Sequence, residues 1–259
     1  MSPFFYLCFL RIVENIKKIL YNTRYKAFCF YFFFRGVRLI KIYLVRHCEA
    51  LGNKLNSFQG SLDADITELG EKQLSFLEKR FSNIHIDKAF SSPLTRAYKT
   101  ALAATRSKDI TVEKEPLFSE INGGSLEGKS FDEIFKEYPF FTDVWDNHPD
   151  KFSAPGGETM QQLYARVVGG LEKIISNGEN EGKTILISSH GAAIRCLICH
   201  IMYGSIDNLS KTPWSVNTAV SLITYNNSSF SFEYLNDASH LPNEFKSQKS
   251  RLLVAEKKE

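Results

Sequence analysis

Short apolar runs alternate with amphipathic segments along most of the chain, a pattern that predicts strands alternating with helices. Near-continuous apolar runs are typical of parallel strands buried on both faces. Five such runs predict strands at residues 40–45, 86–90, 111–117, 184–188 and 220–225. The polar sequence that follows the first run, up to residue 65, predicts a long loop.

The amphipathic segments predict helices with recognisable ends. Thr67 is a suitable N-cap for the first helix, because its hydroxyl can accept a hydrogen bond from the first turn. Pro93 marks the start of a second helix, since proline suits the first helical position. A third helix with a continuous apolar stripe follows Gly157 and ends at Gly178, and a fourth covers residues 192–202.

Strands that alternate with helices imply an α/β fold, a three-layer αβα sandwich with a mostly parallel central sheet. Ligand sites of such folds collect at the carboxyl ends of the strands. We therefore expect the functional side chains at that edge of the sheet.

Composition divides the 259 residues into three parts. Residues 1–38 contain twelve aromatic residues and carry a net charge of +6, whereas the rest of the chain carries −3. We interpret residues 1–38 as an N-terminal extension, 39–245 as one domain and 246–259 as a charged tail. The slightly acidic balance of the domain does not favour nucleic-acid binding, so no nucleic-acid partner is expected.

Two hypotheses account for residues 1–38. Their two apolar runs, 3–10 and 27–34, are far shorter than the roughly 20 residues that a spanning helix needs, and no signal-peptide pattern is present. One hypothesis is translated upstream sequence before a natural start at residue 39, because Arg35-Gly36-Val37 can be encoded by a ribosome-binding sequence. The other is a membrane-associating extension, so membrane contact is expected only if these residues belong to the native protein.

The five cysteines lack the spacing of a disulfide framework, which predicts reduced thiols and a cytoplasmic protein. Residues 196–200 formally match a haem-attachment sequence, Cys-x-x-Cys-His. They lie within an apolar helical pattern, so we interpret Cys196 and Cys199 as core residues. Neither a cofactor nor a metal is predicted.

Basic and imidazole side chains follow the predicted strands. Arg46 and His47 come after the first strand and His190 after the fourth, while Arg96 lies in the first turns of the second helix. One such residue alone would be an ordinary polar group. Because all four face the same edge of a parallel sheet, we expect an electropositive pocket whose guanidinium groups suit a phosphate.

Five segments, in order, resemble motifs of the histidine phosphatase superfamily, which has the phosphoglycerate mutase-like fold. The first reads Arg46-His47-Cys48-Glu49 and is followed by Asn53. The others are residues 91–97, 120–128, 155–159 and 189–191. The resemblance extends from about residue 40 to 225 and so covers nearly all of the predicted domain.

This resemblance implies a phosphatase that hydrolyses small phosphomonoesters through a phosphohistidine. His47 would attack the phosphoryl group, and Glu120 would protonate the leaving alcohol and then activate water. Arg46, Arg96 and His190 would hold the phosphoryl oxygens. The two guanidinium groups would also keep His47 uncharged and would offset phosphoryl charge without a metal ion. The further substrate-binding residues expected are Asn53, Gln59, Gly60, Gly191 and Glu158.

Three other glutamates compete with Glu120 for the role of acid. Glu49 follows the nucleophile segment, but strand geometry predicts that its side chain points to the opposite face. Glu127 is a second candidate. Glu158 is expected either to stabilise a helix start or to contact the substrate. Cys48 stands where the family most often has glycine; we interpret it as a tolerated small residue, and a redox-active thiol is the alternative.

A phosphatase is favoured over phosphoglycerate mutase-type transfer and over a non-catalytic module that binds a phosphorylated ligand. Mutases of the family usually have Arg-His-Tyr-Gly directly after the acid, whereas here Ile121-Asn122-Gly123-Gly124 follows Glu120. The expected partner is a small phosphorylated metabolite, and a homodimer is a further hypothesis. The aromatic-rich segment 125–155 is expected to line the leaving-group pocket or to form the core of a lid.

Overall fold

The computed structural model describes residues 39–246, so the hypotheses on residues 1–38 and on the tail from 247 onward lie outside the described residues. Within that range six strands form one sheet in the order β3-β2-β4-β1-β5-β6. The strands are β1 (Ile40–Arg46), β2 (Lys88–Ser91), β3 (Val112–Lys114), β4 (Thr184–Ser189), β5 (Val220–Asn226) and β6 (Ser229–Asp237).

The helices connect these strands and cover the sheet. They are α1 (Leu51–Lys54), α2 (Glu68–Phe81), α3 (Thr95–Thr105), α4 (Phe131–Glu137), α5 (Phe141–Asn147), α6 (Met160–Ser176) and α7 (Gly191–Tyr203). Thr67 caps α2 as predicted, because its side chain accepts a hydrogen bond from the backbone N–H of Gly70.

The sheet is mostly parallel. Strands β3, β2, β4 and β1 run in the same direction, β5 pairs antiparallel with β1, and β6 pairs antiparallel with β5. Arg46 at the end of β1 is in register with Ser189 at the end of β4. The residues that follow these two strands, His47 and His190, therefore emerge side by side at one edge.

Alternate residues of the central strands supply two separate cores. Ile42 and Leu44 of β1 pack with helices α6 and α7, whereas Tyr43 and Val45 pack with α2 and α3. Because side chains of a strand alternate between faces, both faces must be covered by apolar helix stripes. The predicted three-layer αβα sandwich is confirmed.

Several predicted boundaries are wrong. Strand β2 begins two residues later than predicted, and β3 is short because Pro116–Phe118 forms a 3-10 turn. Helix α3 begins at Thr95 rather than Pro93, and α6 ends at Ser176 before Gly178. Strand β6 and the short helices α1, α4 and α5 were not predicted. The alternating aromatic residues of β6 were a readable signal, although a register shift places Phe230 and Phe232 on one core cluster and Tyr234 on the other.

Among residues 39–246, no helix combines the length and the apolar character needed to cross a membrane.

Candidate active site

A cavity of about 790 Å³ lies at the carboxyl edge of the sheet. Arg46 at the end of β1 and His47 after it line the cavity, and Gly191 at the start of α7 lines it as well. Arg96, from the first turn of α3, and Glu120, from the loop after β3, complete the inner part. The topology thus brings together residues from four separate segments, as ligand sites of α/β sheets require.

His47 is buried and uncharged. Its Nδ1 lies 2.6 Å from the carbonyl oxygen of Cys48. A carbonyl oxygen only accepts hydrogen bonds, so Nδ1 carries the proton and Nε2 keeps a lone pair. Burial, followed by the nearby Arg96 and Arg46, lowers the pKa of His47 well below its ordinary value, although the hydrogen bond to Cys48 opposes this shift. Nε2 is therefore available as a nucleophile at neutral pH.

His190 lies beside His47, with the two ring centroids 5.1 Å apart. It is fully buried, and burial together with Arg96 lowers its pKa well below the ordinary value. Its Nε2 lies 2.7 Å from the hydroxyl oxygen of Ser92, which also accepts a 3.3 Å hydrogen bond from the backbone N–H of Leu94. The Nδ1 atom of His190 has no hydrogen-bond partner in the described protein.

Ser92 determines which nitrogen of His190 carries the proton. If its hydroxyl donates to Nε2, every polar atom of the pair has a partner except Nδ1–H. If Nε2 donated instead, both the hydroxyl proton and the Nδ1 lone pair would be buried without partners, at a cost of about 1–3 kcal/mol for each buried polar group left unpaired. We therefore assign the proton to Nδ1. His190 lies beside His47 but is not among the residues that line the cavity.

The two arginines line the cavity, Arg96 fully buried and Arg46 partly buried. Arg96 is 1% exposed and donates to the carbonyl oxygens of Leu62 (2.7 Å) and Gly60 (2.8 Å). Arg46 donates to the carbonyl oxygen of Ser215. The Nε atom of each arginine has no partner in the described protein. Burial lowers the pKa of Arg46 to about 10, and Glu120 opposes the shift. Both groups remain charged at neutral pH, and unpaired buried cations favour a bound anion.

Glu120 places its carboxylate at the N-terminus of helix α7. Its oxygens accept hydrogen bonds from the backbone N–H groups of Ala192 (3.1 Å) and Ala193 (3.2 Å), and from its own neighbour Ile121 (3.0 Å). The first turn of a helix has N–H groups without intrahelical partners, so it favours an acidic side chain there. The N–H of Gly191 is the next such group, and Gly191 lines the cavity.

Most of the predicted substrate-binding residues line the cavity, and one does not. Asn53, Gln59, Gly60 and Gly191 are all in the lining. The prediction that Glu158 contacts the substrate is not supported by its position, because its two oxygens accept hydrogen bonds from Arg166 at 2.7 and 2.9 Å. The same carboxylate also accepts from the backbone N–H of Asn122, so it ties a helix to the loop that contains Glu120.

The competing glutamates have other partners. Glu127 is bound by Gly123 and by the backbone and hydroxyl of Ser61, and so joins two loops. Glu49 lines the cavity, and its carboxylate accepts a hydrogen bond from the hydroxyl of Thr67 at 2.6 Å. Strand β1 ends at Arg46, so the alternation of strand side chains does not continue to Glu49.

The cysteine interpretations agree with the structure. Cys48 is fully buried, and burial raises the pKa of its thiol to about 12, which disfavours the reactive thiolate. Cys196 and Cys199 lie in the core of α7. Within residues 39–246, no group of three or more His, Cys, Asp and Glu residues is arranged to hold a metal ion.

Sequence reasoning missed residues that act through others. Ser92 lies within the motif at residues 91–97, but its contact with His190 depends on β2 lying beside β4. Asn217 donates to the carbonyl oxygen of His47 from a loop 170 residues away. Arg166 lies in helix α6, which the sequence analysis predicted from its apolar stripe without assigning a role to its polar residues. No local pattern identified these residues.

The outer part of the cavity combines aromatic and charged residues. Trp145 of α5 and Trp214 both line it, and their rings stack at 5.8 Å and 23°. Lys54 and Lys72 line it as well. Most of the aromatic segment 125–155 instead packs into the main core around Phe58, so the lid-core interpretation describes it better.

Comparison with known proteins agrees with this geometry. Residues 42–238 match the histidine phosphatase superfamily (branch 1). Phosphoserine phosphatase 1 of Hydrogenobacter thermophilus is 35% identical over 164 residues, which cover 63% of this chain and 77% of that protein. The putative phosphoserine phosphatase 2 of the same organism is 30% identical over 203 residues, which cover 77% of this chain and 97% of that protein. A probable phosphoglycerate mutase of Yersinia pestis is 30% identical over 164 residues, which cover 63% of this chain and 75% of that protein.

Solved structures share the fold. Bacillus stearothermophilus YhfR superposes with a TM-score of 0.73 at 27% identity, covering 78% of this chain and 98% of that chain. A mycobacterial glucosyl-3-phosphoglycerate phosphatase in complex with VO3 superposes with a TM-score of 0.70, covering 76% of this chain and 99% of that chain. At 20% identity, the second likeness concerns the fold alone.

The fold and the site define a phosphohydrolase of the α/β class with a histidine at its centre. The chain belongs to the histidine phosphatase superfamily, branch 1. Phosphoryl transfer through a phosphohistidine, in general without a metal ion, is the mechanism of this family.

Proposed function

We propose that this protein hydrolyses small phosphomonoesters and that His47 carries the phosphoryl group. The observation that carries the proposal is the state of His47. Its ring is uncharged, has its proton on Nδ1 and lines a cavity that Arg46 and Arg96 also line. An imidazole with a free Nε2 is a nucleophile, and two guanidinium groups favour a phosphate beside it.

The reaction has two steps. In the first, Nε2 of His47 forms a bond to phosphorus while the bond between phosphorus and the ester oxygen breaks, and protonated Glu120 gives its proton to the departing alcohol. In the second, the Glu120 carboxylate takes a proton from water, the water oxygen attacks phosphorus and the N–P bond breaks. Inorganic phosphate leaves, and Glu120 is protonated again. Arg46, Arg96 and the Nδ1–H of His190 hold the phosphoryl oxygens in both steps.

The substrate class is suggested by the rest of the cavity lining and by the relatives. A phosphoryl group occupies little of 790 Å³, and the remaining lining carries charges of both signs, from Lys54, Lys72 and Lys246 and from Glu49, Glu68 and Glu244. A leaving alcohol that bears both an amino group and a carboxylate would suit such a mixed lining. Relatives named phosphoserine phosphatase point to the same chemistry. O-phosphoserine is therefore the first substrate to test, with O-phosphoethanolamine, which lacks the carboxylate, as its matched comparison.

The test is phosphate release from p-nitrophenyl phosphate and from the two amino-alcohol phosphates, in the presence of EDTA. We expect turnover by the wild type, preference for O-phosphoserine over O-phosphoethanolamine, and a loss of about 10³-fold or more in His47→Ala. His85→Ala, which removes an exposed imidazole, is the control and should be fully active.

Other outcomes identify other functions. Exchange of phosphate between positions of phosphoglycerate without net release would indicate the mutase. Tight phosphate binding without turnover would indicate a binding module. Full activity in His47→Ala would contradict the proposed nucleophile.

A further inference from the structure

Glu120 lies in the loop that follows the 3-10 turn Pro116–Phe118, and neighbouring elements hold the backbone of both. Four consecutive carbonyl groups accept hydrogen bonds from side chains: Leu117, Ser119 and Glu120 from Arg166, and Phe118 from the hydroxyl of Ser189. Partly buried backbone groups need such partners. The position of Glu120 is therefore determined by residues outside the loop.

Arg166 of helix α6 is the main support. Its Nη1 donates to the carbonyl oxygens of Leu117 (2.9 Å) and Ser119 (2.7 Å), and its Nη2 donates to that of Glu120 (2.8 Å). The two remaining N–H groups bind Glu158. All five donors of this guanidinium are thus used, and an ammonium group with three donors could not replace it.

Glu158 binds the same loop from its other end. Its carboxylate accepts from the backbone N–H of Asn122 at 2.9 Å, and its backbone N–H donates to the carbonyl oxygen of Asn122 at 2.8 Å. A Cβ atom at Gly157 would lie 2.3 Å from that carbonyl oxygen, so only glycine permits this approach. The segment Gly157-Glu158 and the acid loop are in direct backbone contact.

We propose that the Glu158–Arg166 ion pair is a positioning device for Glu120. It holds the backbone on both sides of Glu120, so that the carboxylate reaches the N-terminus of α7 beside the phosphoryl site. The proposal rests on the proposed function, in which Glu120 protonates the leaving alcohol. All five donors of Arg166 and both carboxylate oxygens of Glu158 are used within the protein, so we place both residues behind Glu120 and not on the substrate.

The test uses the leaving group as a probe of the acid. Nitrophenolate leaves without a proton, whereas the alcohol of O-phosphoserine needs one. We expect Arg166→Met to lower kcat/KM for O-phosphoserine by about 10²-fold or more, the usual contribution of a general acid, while kcat/KM for p-nitrophenyl phosphate stays within about 3-fold. In Glu120→Gln, kcat/KM for O-phosphoserine should fall at least as far, and kcat should fall for both esters because the second step loses its base. Arg166→Lys should restore only part of the loss.

Two controls make the result specific. The exposed ion pair Arg106–Glu78 (3.0 Å) does not contact the acid loop, so Arg106→Met should leave kcat/KM unchanged for both esters. The double variant Arg166→Met/Glu120→Gln should be no slower than Glu120→Gln alone, because residues that act through one group are not additive. Glu158→Gln, a milder change, carries the test if Arg166→Met does not fold.

Three results would overturn the proposal. In Arg166→Met, kcat/KM could fall equally for both esters or fall for neither. In the double variant, the two losses of kcat/KM for O-phosphoserine could be additive. A wild type that hydrolyses neither ester would contradict the proposed function itself, and this proposal with it. A selective loss in Glu120→Gln but not in Arg166→Met or Glu158→Gln would leave the proposed function intact and remove only the positioning device.

Discussion

At the scale of single residues, hydrogen bonds decide what each histidine can do. His47 and His190 are both uncharged and buried, yet their environments give them different roles. The carbonyl oxygen of Cys48 fixes the proton of His47 on Nδ1 and frees Nε2 for attack. The hydroxyl of Ser92 leaves the Nδ1–H of His190 to be donated. Two residues of the same type thus become a nucleophile and a hydrogen-bond donor.

Replacement of Ser92 tests this assignment. In Ser92→Ala, Nε2 of His190 loses its donor, so the ring can adopt the other tautomer and the donated Nδ1–H is lost. We expect kcat to fall about 10-fold to 10²-fold, because one donor to the reacting group is lost. The ring-nitrogen NMR chemical shifts of His190 should change from those of the Nδ1–H tautomer to those of a mixture of both tautomers. Unchanged NMR shifts in Ser92→Ala would refute the assignment, and Ser239→Ala, at an exposed serine, is the control.

At the scale of elements, helix α6 serves both the core and the site. One face contributes Leu163, Val167 and Leu171 to the core under the sheet. Arg166, on the adjacent side, holds the acid loop. The N-cap Thr159 fixes where the helix begins, and so also where Glu158 lies relative to that loop.

The two adjacent glycines of α6 should respond differently to alanine. A Cβ at Gly169 meets nothing within 4 Å, whereas a Cβ at Gly170 would lie 3.1 Å from Leu117 and Phe118. Gly169→Ala should therefore raise the free energy of unfolding by about 0.5–1 kcal/mol, or Tm by about 1–4 °C, because alanine loses less backbone entropy in a helix. Gly170→Ala should gain less or be destabilised. Thermal melts of both variants check this, and an equal gain in both would contradict the packing described.

At the scale of the whole molecule, the site reduces stability in acid. Four titratable side chains, Arg46, Arg96, His47 and His190, are buried together around a cavity. The αβα core must supply the free energy that holds them there, since desolvation disfavours their charged forms.

Stability should therefore depend on pH. In the unfolded chain His47 and His190 have pKa values of about 6.5, whereas burial lowers both pKa values well below this in the native protein. Below pH 6.5 the unfolded chain binds more protons than the native one, so stability is full above pH 6.5 and is lost as the pH falls. Each histidine contributes a slope of up to about 1.4 kcal/mol per pH unit.

Urea titrations between pH 7.5 and 5 measure this slope. His190→Gln should reduce the slope of the free energy of unfolding against pH by the contribution of one histidine. His148→Gln, at an exposed position, should leave the slope unchanged. A slope that is the same in the wild type and in His190→Gln would show that His190 is not held uncharged.

The local sequence predicted the elements whose signal lies in neighbouring residues. Strands β1, β4 and β5 and helices α2, α6 and α7 follow from apolar runs and from helical periodicity. Arg46, His47 and His190 could be placed at one edge because they directly follow buried strands. Strand ends and side-chain types are local properties, and the direction of parallel strands then brings them together.

The tertiary structure alone decided which polar residues serve the substrate and which serve other residues. Glu158 and Glu120 were both candidates for the acid in the sequence, yet Glu158 pairs with Arg166 and Glu120 lies at the start of α7. Ser92 and Asn217 acquired their roles from contacts with segments about 100 and 170 residues away. A hydrogen bond depends on distance and direction between groups that only folding brings together, so no local pattern along the chain encodes it.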